Sequence, residues 1–160
     1  MSLSLQTEKG LSTEILALMA DRQEVRGRFF LADQAQYHFG PENLLDVLNK
    51  GGKQFLPLAQ DDVPEVVRIQ WSRIAGLKPR LADCPDWPTT PDDDPQCWQA
   101  AKISFAGTTL EGRAYLGDLH PDRRRITDLL NHCDPFFVFE TDEGPWIINR
   151  NHLNILAPLD

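Results

Sequence analysis

Alternating apolar and polar residues predict two matching β-strands, over residues 25–32 and 110–117. In the first strand Arg26 and Arg28 fall on one side, and Phe29 is among the residues on the other. We therefore expect one face to pack on a core and the arginine face to meet water.

A short apolar run follows each strand, NLLDVLN at 43–49 and RITDLLN at 125–131. Each run predicts a helix of about two turns, too short to be stable alone, whose leucines must dock on the sheet. Two further β-rich runs close each half of the chain. The pattern predicts a mainly β protein with short helices.

The two halves of the sequence also match each other. Both contain apolar-x-Gly-Arg-x-x-Leu, then Asp-x-Leu-Asn, then a Phe after five residues. The match predicts an internal duplication: repeat 1 over 11–79, a linker over 80–99 and repeat 2 over 100–160. The matched pairs are Gly27 with Gly112, Leu31 with Leu116, Asp46 with Asp128, Leu48 with Leu130, Asn49 with Asn131, and Phe55 with Phe137.

The duplication decides an ambiguous segment at the start of repeat 1. Residues 11–21 have helical composition, and Ser12 could cap a helix. The corresponding segment of repeat 2, AAKISFAGTTLEGR from Ala100, alternates like a β-hairpin with its turn at Gly107. We therefore predict a strand over residues 13–20, against the local propensity.

Gly27 and Gly112 lie in the middle of predicted strands, where glycine ordinarily weakens a sheet. Glycine there permits a strong bend or the close approach of another backbone. We therefore expect each repeat to form a small curved sheet or a partly open barrel. Since each core alone is small, we expect the repeats to pack through a pseudo-twofold interface.

The linker region is rich in proline and aspartate. Residues 79–99 hold five prolines and five aspartates against one arginine, which predicts a stiff, extended connector. Trp87 and Trp98 indicate that it lies against a domain or a partner protein. Cys84 and Cys97 flank this region, and whether they form a disulfide is left open.

Composition and charge narrow the function classes. The chain has 160 residues, 41% of them apolar and 25% charged, and a formal net charge of −8. No apolar run reaches the roughly 20 residues that cross a bilayer, and residues 15–20 are too short for a secretory signal. The odd number of cysteines favours a reducing compartment. We expect a cytoplasmic protein that binds neither membranes nor nucleic acid, because negative charge opposes phosphate contacts.

The recurring Asp and Asn residues have a structural interpretation. If Asn43 caps the first helix, Asp46 falls at its third position, where a carboxylate binds exposed amide groups. Asn49 and Asn131 then fall at helix ends, where a left-handed residue is wanted. We interpret these residues, with Asp128, as structural.

No motif points to catalysis, a metal or a cofactor. Nucleophile, phosphate-loop and dinucleotide signatures are absent, and no close pair of cysteines suggests zinc. We predict no catalytic residue, no metal ligand and no cofactor. An enzyme, the third hypothesis, would require a histidine to meet a carboxylate in one cleft. The candidates are His120, His132 and His152.

One basic cluster stands out. Arg123, Arg124 and Arg125 precede the second helix, and repeat 1 has no counterpart to them. Three arginines can bind a phosphate or an acidic protein surface. A solvated turn is the competing interpretation.

RITDLLN at 125–131 and INRNHL at 148–153 resemble a group of small uncharacterised bacterial domains with an Arg-Leu-Ser-Asp-x-Leu-Asn segment. The resemblance covers both repeats but implies no settled activity. NLLDVLN departs from it by lacking the leading Arg. A fainter similarity is to Sm-type barrels, so the fold expectation is Sm/SH3-like, although the later elements depart from the Sm pattern.

These observations lead to two function hypotheses from different classes. The first is a non-catalytic bacterial interaction or regulatory module. It would bind a protein partner along an exposed strand edge or through Trp87 and Trp98. The alternative is a small-ligand or nucleotide sensor that uses Arg123, Arg124 and Arg125 and the cleft between the repeats. Self-association into a homo-oligomer stays open.

Overall fold

The computed structural model describes residues 11–31, 43–50, 54–60, 63–84, 87–88, 90–131 and 134–159. These residues form ten strands and two short α-helices, with 3₁₀ turns between some of them. The strands are β1 (Leu11–Met19), β2 (Glu24–Leu31), β3 (Phe55–Ala59), β4 (Val67–Gln70), β5 (Ile74–Pro79), β6 (Trp98–Phe105), β7 (Thr108–Tyr115), β8 (Phe136–Thr141), β9 (Gly144–Asn149) and β10 (Leu153–Pro158); the helices are α1 (Leu44–Lys50) and α2 (Ile126–Leu130).

All ten strands belong to one open antiparallel sheet. Its strand order is β10-β6-β7-β8-β9-β5-β1-β2-β3-β4. The prediction of a mainly β protein with short helices is confirmed. The expectation of two separate sheets is wrong, because β9 hydrogen-bonds to β5 and makes the sheet continuous.

The predicted strand at the start of the chain is confirmed as β1. Thr13, Ile15 and Ala17 are buried, and the residues between them are half-buried. This period of two fits a strand in the middle of a sheet, where packing overrides helix propensity. The turn to β2 places Arg22 at φ 74°, while the matching β6–β7 turn uses Ala106 and Gly107.

Strand registers are the same in the two halves of the sheet. Ile15 lies opposite Gly27 in the first half, and Ala101 lies opposite Gly112 in the second. The irregularity where β1 meets β5 recurs where β6 meets β10, with Met19 opposite Ile74 and Phe105 opposite Leu153. Residues at the same place in these registers are called corresponding residues below.

The strand registers change one of the residue pairs matched from the sequence, that of Phe55, by one position. Phe55 lies opposite Gln70, and Phe136 lies opposite Asn149. Phe55 therefore corresponds to Phe136 instead of Phe137. The two phenylalanines differ in exposure, since Phe136 is buried and Phe55 is 51% exposed.

The junction between the halves does not have the expected pseudo-twofold form. It pairs β5 with β9, through Gly76 opposite Ile148 and Leu77 opposite Ile147. A twofold axis would instead pair β5 with β10 or β4 with β9, its corresponding strands. The two halves meet through unlike edges, which is a head-to-tail arrangement.

Gly27 and Gly112 allow the close approach predicted for them. A Cβ atom on Gly27 would lie 2.6 Å from the carbonyl oxygen of Ala59, and one on Gly112 would clash with the carbonyl oxygen of Glu140. The third strand of each half therefore crosses directly over the glycine of the second, which requires a residue without a side chain.

Two main apolar clusters fill the interior, one for each half. Phe105, Phe139 and Ile148 belong to the first, and Phe29 and Leu58 belong to the second. The halves share their cores, because residues of each half pack in the cluster of the other. These shared residues are Leu18 and Ala75 in one direction, and Phe136 and Ile147 in the other.

The proline-rich region contains two 3₁₀ turns, at Leu81–Asp83 and Pro95–Cys97. Strand β6 already begins at Trp98, two residues before the predicted start of repeat 2. Among the described residues, no helix is long and apolar enough to span a membrane.

Candidate functional site

The three arginines singled out in the sequence do not form one binding surface. Arg124 is half-buried and donates from Nε to the carbonyl oxygen of Leu119 at 3.2 Å and from a terminal nitrogen to that of Gly117 at 3.4 Å. These hydrogen bonds therefore stabilise the turn that follows β7. Arg123 is exposed and ends the 3₁₀ turn that begins at Pro121.

Arg125 is bound to the helix that follows it. Its Nε donates to Asp128 Oδ2 at 2.9 Å, and a second nitrogen lies 3.4 Å from Oδ1. This hydrogen bond and the attraction between the charges lower the pKa of Asp128 and raise that of Arg125. Arg124 and Arg125 therefore make contacts within the chain, whereas Arg123 is exposed to solvent.

Trp87 and Trp98 pack against their own chain. Trp98 is 7% exposed and lies 5.0 Å from Tyr115 between ring centroids, at a tilt of 55°. It shares an apolar cluster with Cys97 and Val138, against which the half-buried Trp87 also packs. Both indoles therefore pack against the chain itself, as expected if the linker lies against a domain; Trp98 is buried and Trp87 is half-buried.

Asn43 and Asp46 form the reciprocal cap expected for the first helix. The Asn43 side chain accepts from the backbone N–H of Asp46 at 2.9 Å, and Asp46 Oδ2 accepts from that of Asn43 at 3.0 Å. In α2, Arg125 stands at the capping position and binds Asp128 instead. Both aspartates therefore make hydrogen bonds at the start of a short helix.

The expected left-handed role of the two asparagines is wrong. Asn49 lies within α1, and its amide joins the backbone of Phe136: Oδ1 accepts from N–H at 2.9 Å and Nδ2 donates to the carbonyl at 3.1 Å. Asn131 has φ −100°, and its Nδ2 donates to Thr127 within its own helix at 2.9 Å. Asn49 therefore connects the two halves of the sheet.

Cys84 and Cys97 are both free thiols. Cys97 Sγ donates to Asp94 Oδ2 at 3.2 Å, and this hydrogen bond, together with burial, raises the pKa of Cys97. Burial also raises the pKa of Cys84. Neither thiol therefore has the lowered pKa that marks a reactive cysteine.

The histidines do not meet a carboxylate in a cleft of the described residues. His120 lies 3.6 Å from Asp122 on an exposed turn, and His152 Nε2 contacts the carbonyl oxygen of Ser72 at 2.5 Å. His132 lies outside the described residues, as does Cys133. Within the described ranges, no three His, Cys, Asp or Glu side chains gather as metal ligands.

A basic cavity of about 730 Å³ opens beside β1, β2 and β5. Among the described residues, one carboxylate, that of Glu14, lines it together with four cationic side chains: Arg26, Arg28, Lys78 and Arg80. Glu14 lies 3.4 Å from both Arg28 and Arg80. The cavity therefore keeps excess positive charge on a chain whose formal net charge is −8, and its chemistry suits an anion.

The cleft between the two halves has the opposite character. A cavity of about 520 Å³ lies between α1, α2 and β8, and its carboxylates are Asp46, Asp118 and Asp134. None of the three clustered arginines lines it. An acidic cleft is a poor site for a phosphate, so the predicted combination of arginines with this cleft is wrong.

The open sheet has two edge strands, β10 and β4, each with one strand neighbour in the described part of the chain. On β10, Ile155 is 64% exposed, which is the largest exposure of a large apolar side chain among the described residues. Beside β4, Phe55 of β3 is 51% exposed. Each edge therefore combines unpaired backbone groups with an exposed apolar side chain.

Sequence reasoning missed both of these sites. The alternation in β2 shows that Arg26 and Arg28 face outward, but only the pairing of β1 with β5 brings Lys78 and Arg80 beside them. Ile155 looks like a core residue in the sequence. Its exposure follows from the position of β10 at the sheet edge.

Comparison with protein-family models, curated proteins and solved structures finds no match to this chain.

Proposed function

We propose that this protein is a non-catalytic interaction module that binds a protein partner by adding a strand to an edge of its sheet. The observation that carries the proposal is the β10 edge, where Ile155 is 64% exposed beside unpaired backbone groups. A strand added there gains backbone hydrogen bonds, and an apolar side chain opposite Ile155 removes its surface from water.

The burial of Trp98 supports the edge over this indole as the binding surface. Trp98 is 7% exposed, so an incoming protein would find little of the indole accessible. A cytoplasmic, bacterial setting and membership of the small bacterial domain group belong to the same proposal, and they rest on the sequence alone.

We also propose that the chain arose by duplication, with repeats over 11–79 and 100–160. The equal strand order and equal registers of the two halves support this, down to the irregularity at Met19 and Phe105. The two repeats also resemble each other in sequence. Two halves that shared a topology by chance would not need to share a sequence pattern.

Site-specific photo-cross-linking in cells tests the edge proposal. A benzophenone amino acid replaces Ile155 in one variant and Lys102 in a control. Lys102 is exposed on β6, a strand with neighbours on both sides. We expect covalent protein adducts at position 155 and few at 102. Absent adducts at 155, or equal adducts at both positions, would contradict the proposal.

A second candidate function is the binding of a small anion in the basic cavity. The observation in its favour is the excess of Arg26, Arg28, Lys78 and Arg80 over Glu14. Inorganic phosphate and ATP are suitable probes, each measured by the shift of the thermal unfolding midpoint. We expect wild type and Arg123→Gln to be stabilised and Arg26→Gln/Lys78→Gln to lose the effect. Equal shifts in all three proteins would contradict a site in this cavity.

A further inference from the structure

The junction between the two halves of the sheet joins two unlike edges, those of β5 and β9. The corresponding strands, β10 and β4, each have only one strand neighbour among the described residues. The 3₁₀ turn Trp71–Arg73 and strand β5 correspond, residue for residue, to Arg150–His152 and β10. In the same way β4 corresponds to the last four residues of β9. Since β5 pairs with β9, the counterpart of the junction is a pairing of β10 with β4.

The contacts of the existing junction define what such a pairing needs. Beyond the strand pairs at Gly76 and Leu77, Asn149 Nδ2 donates to the carbonyl oxygen of Ile74 at 3.0 Å. Asn49 binds the backbone of Phe136 through two hydrogen bonds. The ring of Trp71 lies 6.0 Å from that of Phe136.

Each of these groups has a counterpart at the free edges. Gln70 of β4 corresponds to Asn149 and carries the same amide. Asn131 corresponds to Asn49, and Phe55 corresponds to Phe136. Gln70 and Asn131 are exposed, and Phe55 is 51% exposed. The amide and aromatic groups that form the junction are thus present a second time. They are divided between the edges at β10 and β4, which do not pair with each other among the described strands.

We infer that the chains assemble head to tail, with β10 of one chain pairing with β4 of the next. The register of the junction carries over, so that Ile155 lies opposite Ile69 and Leu156 lies opposite Arg68. This inference rests on the proposed strand-edge function and names the partner as a second copy of this chain.

Side-chain contacts follow from the same correspondence. The amide of Gln70 donates to the carbonyl of Leu153, and the amide of Asn131 binds the backbone of Phe55 in the next chain. Arg150 occupies the place of Trp71 and is half-buried, so the exposed part of its side chain packs on the Phe55 ring. Burial of Phe55 and Ile155 supplies the apolar part of the interface.

The residues that would meet at this interface differ in size from those at the existing junction. At the existing junction Phe105 fills the space above Gly76, where a Cβ would lie 2.9 Å from the phenylalanine ring. At the interface between chains, Ile155 replaces the glycine and Met19 replaces the phenylalanine. A glycine against a phenylalanine becomes an isoleucine against a methionine. This pair is larger, and the flexible methionine side chain can change its rotamer to make room.

A head-to-tail interface leaves both edges of the assembly available for further chains. Such interfaces close into rings when the rotation between subunits permits. The rotation that β9 and β5 set within each chain recurs between chains, so the assembly is a ring where that rotation closes and an open filament where it does not.

Mixing two variants with different blocked edges tests this inference. Ile155→Glu blocks β10, and Phe55→Glu/Arg68→Glu blocks β4; all three positions are exposed, so the fold should persist. Leu81→Glu is the control, an exposed apolar residue away from both edges. Circular dichroism and thermal unfolding confirm folding, with Ile155→Lys as the substitute if Ile155→Glu does not fold. Light scattering after size exclusion gives the mass.

We expect an oligomer for wild type and Leu81→Glu, a monomer for each blocked variant alone, and a heterodimer for their equimolar mixture. The mixture retains one intact β10 and one intact β4, which form a single interface. A monomeric wild type, blocked variants that stay oligomeric, or a mixture that stays monomeric would each overturn the inference.

The cross-linking variant separates this inference from the function on which it rests. Adducts of position 155 with another copy of the chain support both. Adducts with a different protein, together with a monomeric wild type, leave the edge function standing and overturn the head-to-tail assembly. Absent adducts overturn both.

Discussion

Asn49 and Phe136 are joined by two hydrogen bonds that cross from one half of the sheet to the other. The amide nitrogen donates to the Phe136 carbonyl at 3.1 Å, and the amide oxygen accepts from its N–H at 2.9 Å. The backbone N–H and carbonyl of Phe136, at the start of β8, are thereby paired with a side chain of α1. The pair explains why an asparagine is suited to the last turn of this helix, where a left-handed residue was expected.

Asn49→Ala should therefore destabilise the protein more than Asn131→Ala. The first change removes two hydrogen bonds and leaves backbone groups of Phe136 unpaired, at a cost of about 2 kcal/mol. The second removes one exposed bond to Thr127 and should cost less. Urea unfolding of the monomeric Ile155→Glu background measures both without interference from assembly. Equal losses would contradict the role given to Asn49.

Gly27→Ala and Gly112→Ala should both destabilise the fold, and Gly112→Ala should do so more. The new Cβ would lie 2.6 Å from the Ala59 carbonyl in the first case and still closer to that of Glu140 in the second. Overpacking of this kind costs about 1 to 3 kcal/mol or more. Thr109→Ala, exposed on the same strand as Gly112, is the control. Urea unfolding should show the largest loss of stability for Gly112→Ala, a smaller loss for Gly27→Ala and the smallest for Thr109→Ala.

The sequence identified the elements of this fold because their signals are local. Alternation located β2 and β7, and comparison of the halves corrected β1, whose composition alone favours a helix. The relation between the halves could not be read in the same way. Whether β5 meets β9 or β10 depends on long-range pairing, and the sequences of all three strands are equally apolar.

The same distinction explains the outcome for the candidate sites. Arg123, Arg124 and Arg125 attract attention because they are adjacent, but their local partners, Asp128 and the Leu119 carbonyl, decide their roles. The basic cavity combines residues of the β1–β2 hairpin with Lys78 and Arg80 at the end of β5, which are distant from the hairpin in the sequence. Ile155 is exposed because, among the described residues, no strand lies beyond β10.

The contribution of the Arg125–Asp128 pair should depend on pH in a defined direction. Its hydrogen bond lowers the pKa of Asp128 in the folded state, so the pair stabilises the protein above the ordinary value of about 3.9. That stabilisation is lost as pH falls through the lowered pKa. Titration of the Asp128 carboxyl by NMR should give a midpoint below the ordinary range, and Arg125→Gln should raise it. An unchanged midpoint in Arg125→Gln would contradict the assignment.

Asp94→Asn should make Cys97 more reactive. The hydrogen bond from Cys97 Sγ to Asp94 favours the neutral thiol and raises its pKa. Without the carboxylate, the thiolate fraction at mildly alkaline pH should rise, and with it the alkylation rate. Peptide mapping after iodoacetamide treatment resolves Cys97 from the other cysteines. Cys84, whose pKa burial raises, is the internal control and should keep its rate.

Trp98→Ala should destabilise the fold strongly, because Trp98 is 7% exposed and packs on Tyr115 and Val138. Truncation of a buried aromatic residue costs roughly 3 to 5 kcal/mol. Trp87→Ala removes a half-buried indole and should cost less. Denaturant unfolding measures both changes, and Trp98→Phe should recover part of the loss. If Trp98→Ala left stability unchanged while abolishing cross-links from position 155, the indole would belong to a partner surface instead of the core.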